Sequence, residues 1–381
     1  MCRKRRPTTI LIDASDIDRP SGGRTAVLDL FRVLFAQRTD WHFIALVSRH
    51  ESAFDFPHVQ QRIVPFRNRL MERLWIQFIV LFLSVTGQVD LVHFARTLGG
   101  ISWPAKSVLT VFDITTLKFP HLHSRHAVWF WRNIQPLLIL NADRIIAISQ
   151  DVKHDLESFL SVSPEKIDVV YCAPKSVFHC HCENYRPRAL RDKYHLPERY
   201  MLFVGMIAKK KNLSTLIEAL HRLKIRREHY LPLVIVGRRY KQSDDVAIFD
   251  QIRSLGLKND IYYLGPVPDQ DLPGLYRGAD IFVFPSLHEG FGIPCVEAMA
   301  CRVPVIASRS GAIPEVVDDA ALLVSNPKDP QSFADAILRL MENSDLRRDL
   351  INRGIKRAEY FVWSRFAQQV LGIYECVLGE M

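Results

Sequence analysis

The chain has few features of a secreted or membrane-spanning protein. Its longest charge-free apolar stretch, Leu74 to Val89, has 16 residues and includes two glutamines, a serine and a threonine. A transmembrane helix needs about 20 mostly apolar residues, and no stretch near the start of the chain has the pattern of a signal peptide. Seven cysteines without regular spacing favour a reducing compartment over a disulfide framework. We therefore expect a cytoplasmic protein.

The chain also lacks a metal site and a nucleic-acid recognition motif. The soft ligands between His179 and Cys182 are adjacent, with only Cys172 as a nearby supplement, whereas a structural zinc site needs spaced ligands that converge. We interpret this segment as part of a polar interdomain linker and expect no metal. The net charge of +9 indicates an anionic partner. Because the basic residues are scattered, nucleotide phosphate or anionic lipid fits better than nucleic acid.

Two segments raise the question of a membrane surface. The basic cluster from Arg3 to Arg6 could touch anionic lipid, although so few charges anchor weakly and a solvated tail is equally consistent. The helix through Trp75, Phe78 and Phe82 is interpreted as domain core, although it could also serve an enzyme with a lipid acceptor. Peripheral contact with an anionic membrane is therefore one hypothesis for this chain.

Apolar runs of strand length alternate with helical patterns in two successive halves. The first half predicts buried parallel strands at 9–13, 43–47, 91–93, 108–111, 144–147 and 168–171. After a proline-containing stretch, the second half predicts strands at 200–204, 233–236, 261–264, 281–284, 305–307 and 321–324. This pattern predicts an α/β protein with two Rossmann-like, doubly wound parallel-sheet domains that face each other across a cleft.

Two carboxylates, Glu289 and Glu297, lie on either side of a glycine-rich turn that opens a predicted helix. An apolar run ends just before Glu289, and Pro294 suits the first turn of the helix. Gly290 and Gly292 let backbone amides approach an anion such as a pyrophosphate. Glu297, about one turn into the helix, would accept hydrogen bonds from a ribose diol, and Glu289 would reach a second group such as a hexose. A solvated loop glutamate and an ordinary helical one are the alternative.

Two further loops carry residues suited to an anionic ligand. Gly22 and Gly23 follow the first strand, where adjacent glycines allow close approach to a phosphate or sugar. A plain flexible turn would look the same, since no G-x-G-x-x-G fingerprint is present. In the second half, Gly205 and the lysines at 209–211 follow the first strand. Cations there would bind a diphosphate and stabilise the negative charge on it when it leaves, although consecutive lysines are often solvated.

The segment 289–300, Glu-Gly-Phe-Gly-Ile-Pro-Cys-Val-Glu-Ala-Met-Ala, resembles the E-x7-E signature of retaining glycosyltransferase family 4, which has the GT-B fold. Segments 271–280, 304–308 and 311–317 stand where that family has similar sequences, as does the terminal 361–363. The resemblance is strong from residue 199 onward and weaker before it.

The resemblance implies a role for each half. Residues 1–175 would form an acceptor-binding domain, 176–198 a linker and 199–363 the nucleotide-sugar-binding domain, with a C-terminal helix at 364–381 packing back on the first domain. The implied donor-binding residues are Gly22, Gly23, Gly205, Lys210, Lys211, Gly290, Phe291, Gly292, Ile293 and Glu297. The implied catalytic residues are Glu289, Lys211 and Asp113.

The chain departs from the family pattern at two positions. Met206 stands where many members have an arginine, which leaves stabilisation of the leaving group to the lysines and helix amides. Phe112 stands where many have a histidine that contacts the donor. The following Asp113 matches the aspartate common there, and it could orient or deprotonate an acceptor hydroxyl or simply cap the next segment. Histidines at 121, 123 and 126 are interpreted as solvated loop residues.

The mechanism implied by the resemblance is transfer with retention of anomeric configuration. The acceptor hydroxyl attacks the face from which the phosphate departs, and the phosphate oxygen takes its proton, so lysines and oriented amides suffice as electrostatic catalysts. We expect a mannosyltransferase that uses GDP-mannose, without a cofactor or metal, to extend a glycan or lipid-linked acceptor in surface polysaccharide biosynthesis. Rhamnosyl, fucosyl, glucosyl and galactosyl transfer stay open. So do an inactive nucleotide-sugar-binding scaffold and a sugar-nucleotide epimerase.

Overall fold

The computed structural model describes residues 6–15, 22–66, 68–180, 187–226, 230–239 and 242–380. The chain divides into two compact units, one comprising residues up to 173 together with those from 362 onward and the other comprising residues 174–361. Each unit contains one parallel β-sheet flanked by helices. Two doubly wound α/β units are the fold that the alternating pattern predicts.

The strands of the first unit are β1 (Thr9–Asp13), β2 (His42–Val47), β3 (Val59–Ile63), β4 (Leu91–Phe94), β5 (Lys106–Val111), β6 (Arg144–Ala147) and β7 (Ile167–Val169). Its helices up to β7 are α1 (Gly22–Gln37), α2 (Arg69–Val85), α3 (Thr115–Lys118), α4 (Arg125–Asn133), α5 (Gln135–Asn141) and α6 (Gln150–Leu160). Short 3-10 helices lie at Ser52–Phe54, Pro120–Leu122 and Pro164–Lys166. The sheet order is β3-β2-β1-β4-β5-β6-β7.

The helices and strands of the second unit begin with α7 (Val177–Cys180) and α8 (Pro187–Tyr194). There follow β8 (Met201–Val204), α9 (Leu213–Ile225), β9 (Leu233–Val236), α10 (Gln242–Ser254), β10 (Ile261–Gly265), α11 (Leu272–Arg277), β11 (Ile281–Phe284) and α12 (Ile293–Ala300). The last are β12 (Val305–Ser308), α13 (Ile313–Val317), β13 (Ala321–Val324), α14 (Pro330–Glu342) and α15 (Ser344–Ala358). The sheet order is β10-β9-β8-β11-β12-β13.

The central strands of both sheets are buried on both faces, as parallel strands covered by helices must be. Every residue of β1, β4, β9, β11 and β12 is buried. The first sheet has one strand more than the sequence predicts, because β3 at its edge pairs with β2 alone. Its sequence, Val-Gln-Gln-Arg-Ile, is half-exposed and lacks the apolar run by which buried strands are found.

The C-terminal helix α16 (Trp363–Leu378) packs on α1 and β5 of the first unit. The buried hydroxyl of Tyr374 is hydrogen-bonded to Nδ1 of His93, whose Nε2 lies 2.8 Å from Oγ1 of Thr110. Burial lowers the pKa of His93 to about 3, so this imidazole stays neutral. An ion pair of 2.5 Å between Arg38 and Glu375 adds a second attachment.

The segment predicted as a linker, 176–198, belongs to the second unit. Its helix α8 is attached through Lys193 and Tyr194, which both donate to Oδ2 of Asp271, at 2.6 and 2.5 Å. Of the residues considered as metal ligands, His181 and Cys182 lie outside the described residues. The assignment of acceptor binding to the first unit and donor binding to the second stays a prediction.

The two segments considered for membrane contact have different outcomes. In the basic cluster, residues 3–5 lie outside the described residues, and Arg6 forms an ion pair of 2.5 Å with Asp90. In helix α2, Phe78 and Phe82 are exposed, so the interpretation of this helix as domain core holds only for its inner face. Within the part of the chain that is described, no helix is both long and apolar enough to cross a bilayer.

Candidate functional site

The candidate site of the second unit lies where the strand order reverses. Strand β8 has β9 on one side and β11 on the other, so the loops after β8 and β11 leave the sheet at its topological switch point. Ligands of doubly wound sheets bind there, beyond the carboxyl ends of the strands. The loop after β8 carries the lysines, and the loop after β11 carries Glu289. The two predicted sets of residues are therefore brought together by neighbouring strands.

The loop after β8 begins with a close approach between two backbones. Gly205 directly follows β8, and Gly237 directly follows the neighbouring β9 with φ of +145°. A Cβ atom on Gly237 would lie 1.9 Å from the carbonyl oxygen of Gly205, which no side chain could accommodate. Only glycine therefore fits at position 237, and the absence of a side chain keeps the two loops in contact.

Hydrogen bonds hold the lysine loop against the loop after β11. The backbone amide of Leu287 donates to the carbonyl of Lys210 at 2.8 Å. Asn212 has the left-handed φ of +55° that asparagine tolerates better than most residues. Its side-chain amide donates to the carbonyls of Pro285 at 3.0 Å and Pro327 at 2.5 Å. The asparagine of the Lys-Lys-Lys-Asn sequence is thus a positioning residue that the sequence alone did not single out.

Lys211 and Glu289 form the central ion pair of the site. Nζ of Lys211 lies 2.7 Å from Oε1 of Glu289, with side chains only 18% and 12% exposed. The same ammonium lies 4.9 Å from the ring centroid of Phe284, the last residue of β11. Burial would raise the pKa of Glu289, but the charges of Lys211 and Lys210 hold it below its usual value. Glu289 is therefore a carboxylate at neutral pH.

The turn that carries Glu289 is fixed by the loop after β12. The amide of Ala312 donates to the carbonyl of Glu289 at 2.9 Å, and the hydroxyls of Ser308 and Ser310 donate to the carbonyls of Ser286 and Leu287. Gly311 has φ of +57°, and a Cβ atom there would lie 2.4 Å from the carbonyl oxygen of Glu289. The position of Glu289 therefore depends on a glycine in a different loop.

The residues between the two glutamates contribute in different ways. Gly292, with φ of +101°, is the N-cap of α12, a conformation that glycine adopts without strain. Ile293 and Pro294 open the helix and are half-buried. The ring of Phe291 is buried against Phe361, with centroids 5.5 Å apart. Only the backbone of Phe291 is available to a ligand, because its side chain belongs to the core.

Glu297 occupies a buried position on α12 with one described hydrogen bond. The hydroxyl of Tyr276, itself fully buried, donates to Oε2 of Glu297 at 2.8 Å. Burial raises the pKa of Glu297 to about 7, although the Tyr276 hydrogen bond acts in the opposite direction. The carboxyl therefore changes charge near neutral pH. Tyr276 lies in the segment 271–280 that resembles the family, but the sequence did not indicate its contact with Glu297.

Met206 lies in the loop after β8, and the next residue, Ile207, pairs through its backbone with the loop after β9. The amide of Ile207 donates to the carbonyl of Arg238 at 2.8 Å, and Ile207 forms a parallel bridge with Arg239. Arg238 is exposed, whereas the guanidinium of Arg239 lies over two aromatic rings at 4.5 and 5.4 Å. Two arginines therefore follow β9, the strand next to β8, and the loop after β8 is the one that lacks the family arginine.

The candidate residues of the first unit follow β1 and β5, which are separated in the sheet by β4. Helix α1 begins at Gly22 and includes Gly23, and the preceding Ser21 lies outside the described residues. Oδ1 of Asp113 accepts from the amide of Thr115 at 3.1 Å and also from its hydroxyl. Asp113 therefore accepts from the first amide of α3, although the N-cap position is occupied by Ile114, and its catalytic role stays a prediction. The histidines at 121, 123 and 126 are exposed.

Comparisons with known proteins agree with this geometry. The family model described as glycosyltransferase family 4 matches residues 20–173, and that of glycosyl transferases group 1 matches residues 188–357. The O-antigen chain mannosyltransferase B of Escherichia coli is 30% identical over 277 residues, covering 71% of this chain and 70% of the relative. An MMP alpha-(1->4)-mannosyltransferase of Mycolicibacterium hassiacum is 28% identical over 314 residues, covering 77% and 72%.

Solved structures share the fold over almost the whole chain. Sucrose-phosphate synthase from Thermosynechococcus elongatus has a TM-score of 0.79 at 21% identity, covering 99% of this chain and 100% of the other. Anabaena HepE in complex with UDP-glucose has a TM-score of 0.77 at 19% identity, covering 97% and 99%. These neighbours confirm the GT-B fold. The chain belongs to glycosyltransferase family 4, and it is a glycosyltransferase.

Proposed function

We propose that this enzyme transfers a hexose, most simply mannose from GDP-mannose, to a glycan or lipid-linked acceptor in surface polysaccharide biosynthesis, with retention of anomeric configuration. The observation that carries the proposal is the ion pair of Lys211 and Glu289 at the switch point of the second sheet. The choice of sugar is supported by the relatives, which include an O-antigen chain mannosyltransferase and an alpha-(1->4)-mannosyltransferase.

The proposed mechanism assigns a different group of the donor to each side chain. Lys210 and Lys211 hold the diphosphate and stabilise the charge that grows on it as the sugar departs. Glu289 accepts hydrogen bonds from the hexose, and its low pKa keeps it ionised for that purpose. Glu297 accepts from the ribose diol. The acceptor hydroxyl attacks the face of the sugar that the phosphate leaves, and its proton passes to the departing phosphate oxygen.

Two departures from the family pattern bear on this mechanism. The missing cation at Met206 is replaced, in our proposal, by Arg238 of the neighbouring loop, whose carbonyl accepts from the amide of Ile207. The proposed role of Asp113 is to orient the acceptor hydroxyl while its carboxylate accepts from the first amide of α3. With lysines and an arginine supplying positive charge, the reaction as proposed requires no metal ion. Turnover that is unchanged by EDTA would support this part of the proposal.

We further propose a cytoplasmic enzyme that contacts the membrane peripherally, since a lipid-linked acceptor would be presented there. A membrane-bound acceptor also agrees with the exposed apolar residues of α2. Such residues on a surface helix are a common means of interfacial binding.

The experiment that tests the proposed function is a donor screen with the purified full-length protein. Release of nucleoside diphosphate is followed from GDP-, UDP-, dTDP- and ADP-sugars, with and without a crude lipid-linked glycan acceptor, and the anomeric configuration of the product is read by NMR. Acceptor-dependent release from GDP-mannose with an α-linked product is the expected result. Conversion of the donor without acceptor would indicate an epimerase. Donor binding without turnover would favour an inactive scaffold, the alternative that Met206 and Phe112 raise.

A further inference from the structure

Helix α2 of the first unit has an apolar solvent face. Leu70, Leu74, Phe78 and Phe82 recur every four residues along its outside, and their exposures range from 48% for Phe82 to 67% for Leu70. This spacing places them in one stripe along the helix. Val85, 65% exposed, extends the stripe to the last residue. A surface helix of a globular protein normally presents polar side chains on this face.

The inner face of α2 is apolar as well. Ile76, Val80 and Leu83 are buried against the rest of the unit. Glu72 and Ser84 are buried on this face too, but from Leu74 onward most side chains on both faces are apolar, as is typical of a helix inside a protein or a membrane. Its start is nevertheless well formed, since Oδ1 of Asn68 accepts from the amides of Leu70 and Met71 at 2.9 and 3.4 Å. The exposed stripe therefore belongs to an ordered helix that lacks a covering layer in this structure.

The one polar side chain near the middle of the stripe is engaged by a neighbouring loop. Gln77 donates to the carbonyl of Ile101 at 2.6 Å and accepts from the amide of the same residue at 2.9 Å. Both ends of the Gln77 amide group are thus satisfied. The loop carries two more exposed apolar side chains, Ile101 and Trp103, and Trp103 is 76% exposed. The loop therefore extends the apolar stripe sideways.

The same loop is attached on its other side to α5. The side-chain amide of Gln135 donates to the carbonyl of Thr97, and a Cβ atom on Gly99 would lie 3.2 Å from the carbonyl oxygen of Leu138. Helix α5 exposes Leu137 and Leu140. We call the resulting set the apolar surface; it comprises Leu70, Leu74, Phe78, Phe82, Ile101, Trp103, Leu137 and Leu140.

The charges in these segments are almost all positive. Segments 69–85, 97–103 and 125–141 contain a single acidic residue, Glu72, and four arginines, of which Arg73 is paired with Asp13 at 3.2 Å. Glu72 is buried, so it presents no negative charge to a partner. Beside Leu140, the ammonium of Lys166 donates to the carbonyl of that residue at 3.2 Å. Apolar side chains edged by cations complement an anionic bilayer, whose headgroups attract basic residues while its acyl region takes up apolar ones.

We propose that the apolar surface docks on an anionic phospholipid bilayer, with α2 lying in the plane of the interface and Trp103 inserted at headgroup depth. This inference rests on the membrane contact of the proposed function and names the surface that makes it. Tryptophan favours that depth because its ring is apolar and its N–H is polar. Lipid is the occupant that both the apolar area and the prevailing positive charge favour. A second copy of the chain would bring these arginines together.

The test is flotation of the full-length protein with protein-free vesicles. One set contains phosphatidylcholine alone and the other adds phosphatidylglycerol to about a third of the lipid. The variant Phe78→Ser/Phe82→Ser should bind the anionic vesicles at least about tenfold more weakly than the wild type, because two phenyl groups no longer leave water. The matched control is Ile225→Ser/Val246→Ser in the second unit, whose side chains are 64% and 52% exposed.

The expected result is binding to anionic vesicles that falls with added salt, is lost in the phenylalanine variant and is kept in the control. Equal unfolding temperatures show that both variants fold. Failure of the wild type to float, or undiminished binding by the phenylalanine variant, overturns the inference. So does a wild-type dimer, seen by light scattering, that the variant dissociates without any vesicle binding.

Calorimetry with GDP-mannose separates this inference from the proposed function. The phenylalanine variant should bind the donor as the wild type does, because the apolar surface and the donor site belong to different units. Vesicle binding without turnover of any donor would contradict the proposed function alone. Turnover with a water-soluble acceptor, but no vesicle binding, would contradict this inference alone.

Discussion

The outer helices of the two units expose side chains of different character to solvent, charged in the second unit and apolar in the first. In the second unit, α15 exposes Arg348, and its Arg353 is paired with Asp349 at 2.6 Å and with Asp319 at 3.0 Å. In the first unit, α2 exposes leucines and phenylalanines over most of its length. Charged pairs of this kind suit a surface that remains in water, whereas an exposed apolar stripe marks a surface that binds a membrane or another protein. The prediction that the second unit binds the water-soluble donor and the first unit the acceptor is tested by comparing variants in the two units.

The two units also differ in how their candidate residues are held. Glu289 is positioned by two loops besides its own, through Lys211 after β8 and through Gly311 and Ala312 after β12. The carboxylate of Asp113 accepts a hydrogen bond from Thr115, only two positions further along the chain. This contact is made within a local turn. A site assembled from several loops is more rigid than one built on a single turn. Substitutions in the second unit should therefore have the larger effects.

The largest effect is expected for Glu289→Gln. Removal of the carboxylate leaves the half-buried ammonium of Lys211 without its counter-charge and weakens the hydrogen bonds to the hexose. Turnover should fall by about 100- to 1,000-fold, the range found when one preorganised group is lost. Acceptor-dependent release of GDP measures it. Glu342→Gln, an exposed position on α14, is the control and should retain full activity.

A double-mutant cycle separates the contribution of the Lys211–Glu289 ion pair to turnover from the contributions of the two residues alone. Lys211→Met should also be severely impaired, and the double variant should be little worse than either single one, because residues that act as a unit are not additive. Fully additive losses would contradict the view that the pair works as one element of the second unit.

In the first unit, Asp113→Asn should lower turnover by about 100-fold if the aspartate assists the acceptor hydroxyl, as general acid-base groups typically do. The asparagine can still accept from the Thr115 amide, so the unfolding midpoint should hardly change. Asp113→Ala would in addition lose the hydrogen bonds from Thr115, at about 1 kcal/mol. Steady-state kinetics and thermal unfolding of both variants measure the two roles. Full activity in the asparagine variant would leave Asp113 with a structural role only.

The variants Gly311→Ala and Gly372→Ala compare how strongly the backbone requires glycine at one position in each unit. Gly311 has a positive φ and would place its Cβ 2.4 Å from the carbonyl oxygen of Glu289, so alanine should cost about 2 kcal/mol of stability and weaken donor binding. Gly372, inside α16, has no atom within 4 Å of its Cβ position. Alanine there should stabilise by about 0.5 kcal/mol. Urea unfolding midpoints measure both, and a stable Gly311→Ala would contradict the account of this loop.

Most of the fold could be predicted from the sequence because its strands are buried on both faces. Such strands are continuous apolar runs, and the predicted second-unit strands agree with the observed ones to within a residue at each end. Strand β3 was missed for the opposite reason, since an edge strand with glutamines and an arginine has no such run. The exposure of Phe78 and Phe82 was missed because composition does not reveal which side of a largely apolar helix is covered.

The site was predictable to the extent that it lies in one motif. Glu289, Glu297 and the lysine loop were found because each follows a strand in a recognisable sequence. Tyr276 was not, because it reaches Glu297 across 21 positions of chain, and no local pattern encodes such a contact. Phe291 was singled out for its place in the motif; its ring packs in the core, so the predicted donor contact is left to its backbone.

The smallest expected effect, about tenfold, concerns the pH dependence of donor binding through Glu297. Its pKa of about 7 means that the carboxyl is largely protonated at pH 6 and charged at pH 8. A ribose diol donates to the charged form, so donor affinity should rise about tenfold from pH 6 to pH 8 and be lost again as the pH falls. The diphosphate of a nucleotide sugar does not titrate in this range. Calorimetric titration of GDP-mannose at several pH values measures the effect.

Two variants test whether this dependence belongs to Glu297. Glu297→Gln should bind the donor with no change between pH 6 and pH 8. Tyr276→Phe removes the hydrogen bond that lowers the pKa of Glu297, so the midpoint of the pH profile should move upward from about 7. Lys175 lowers the same pKa and Asp269 raises it, and neither is altered in these variants. A pH profile that is unchanged in Glu297→Gln would assign the titration to another group and leave the buried carboxyl of the second unit without a part in donor binding.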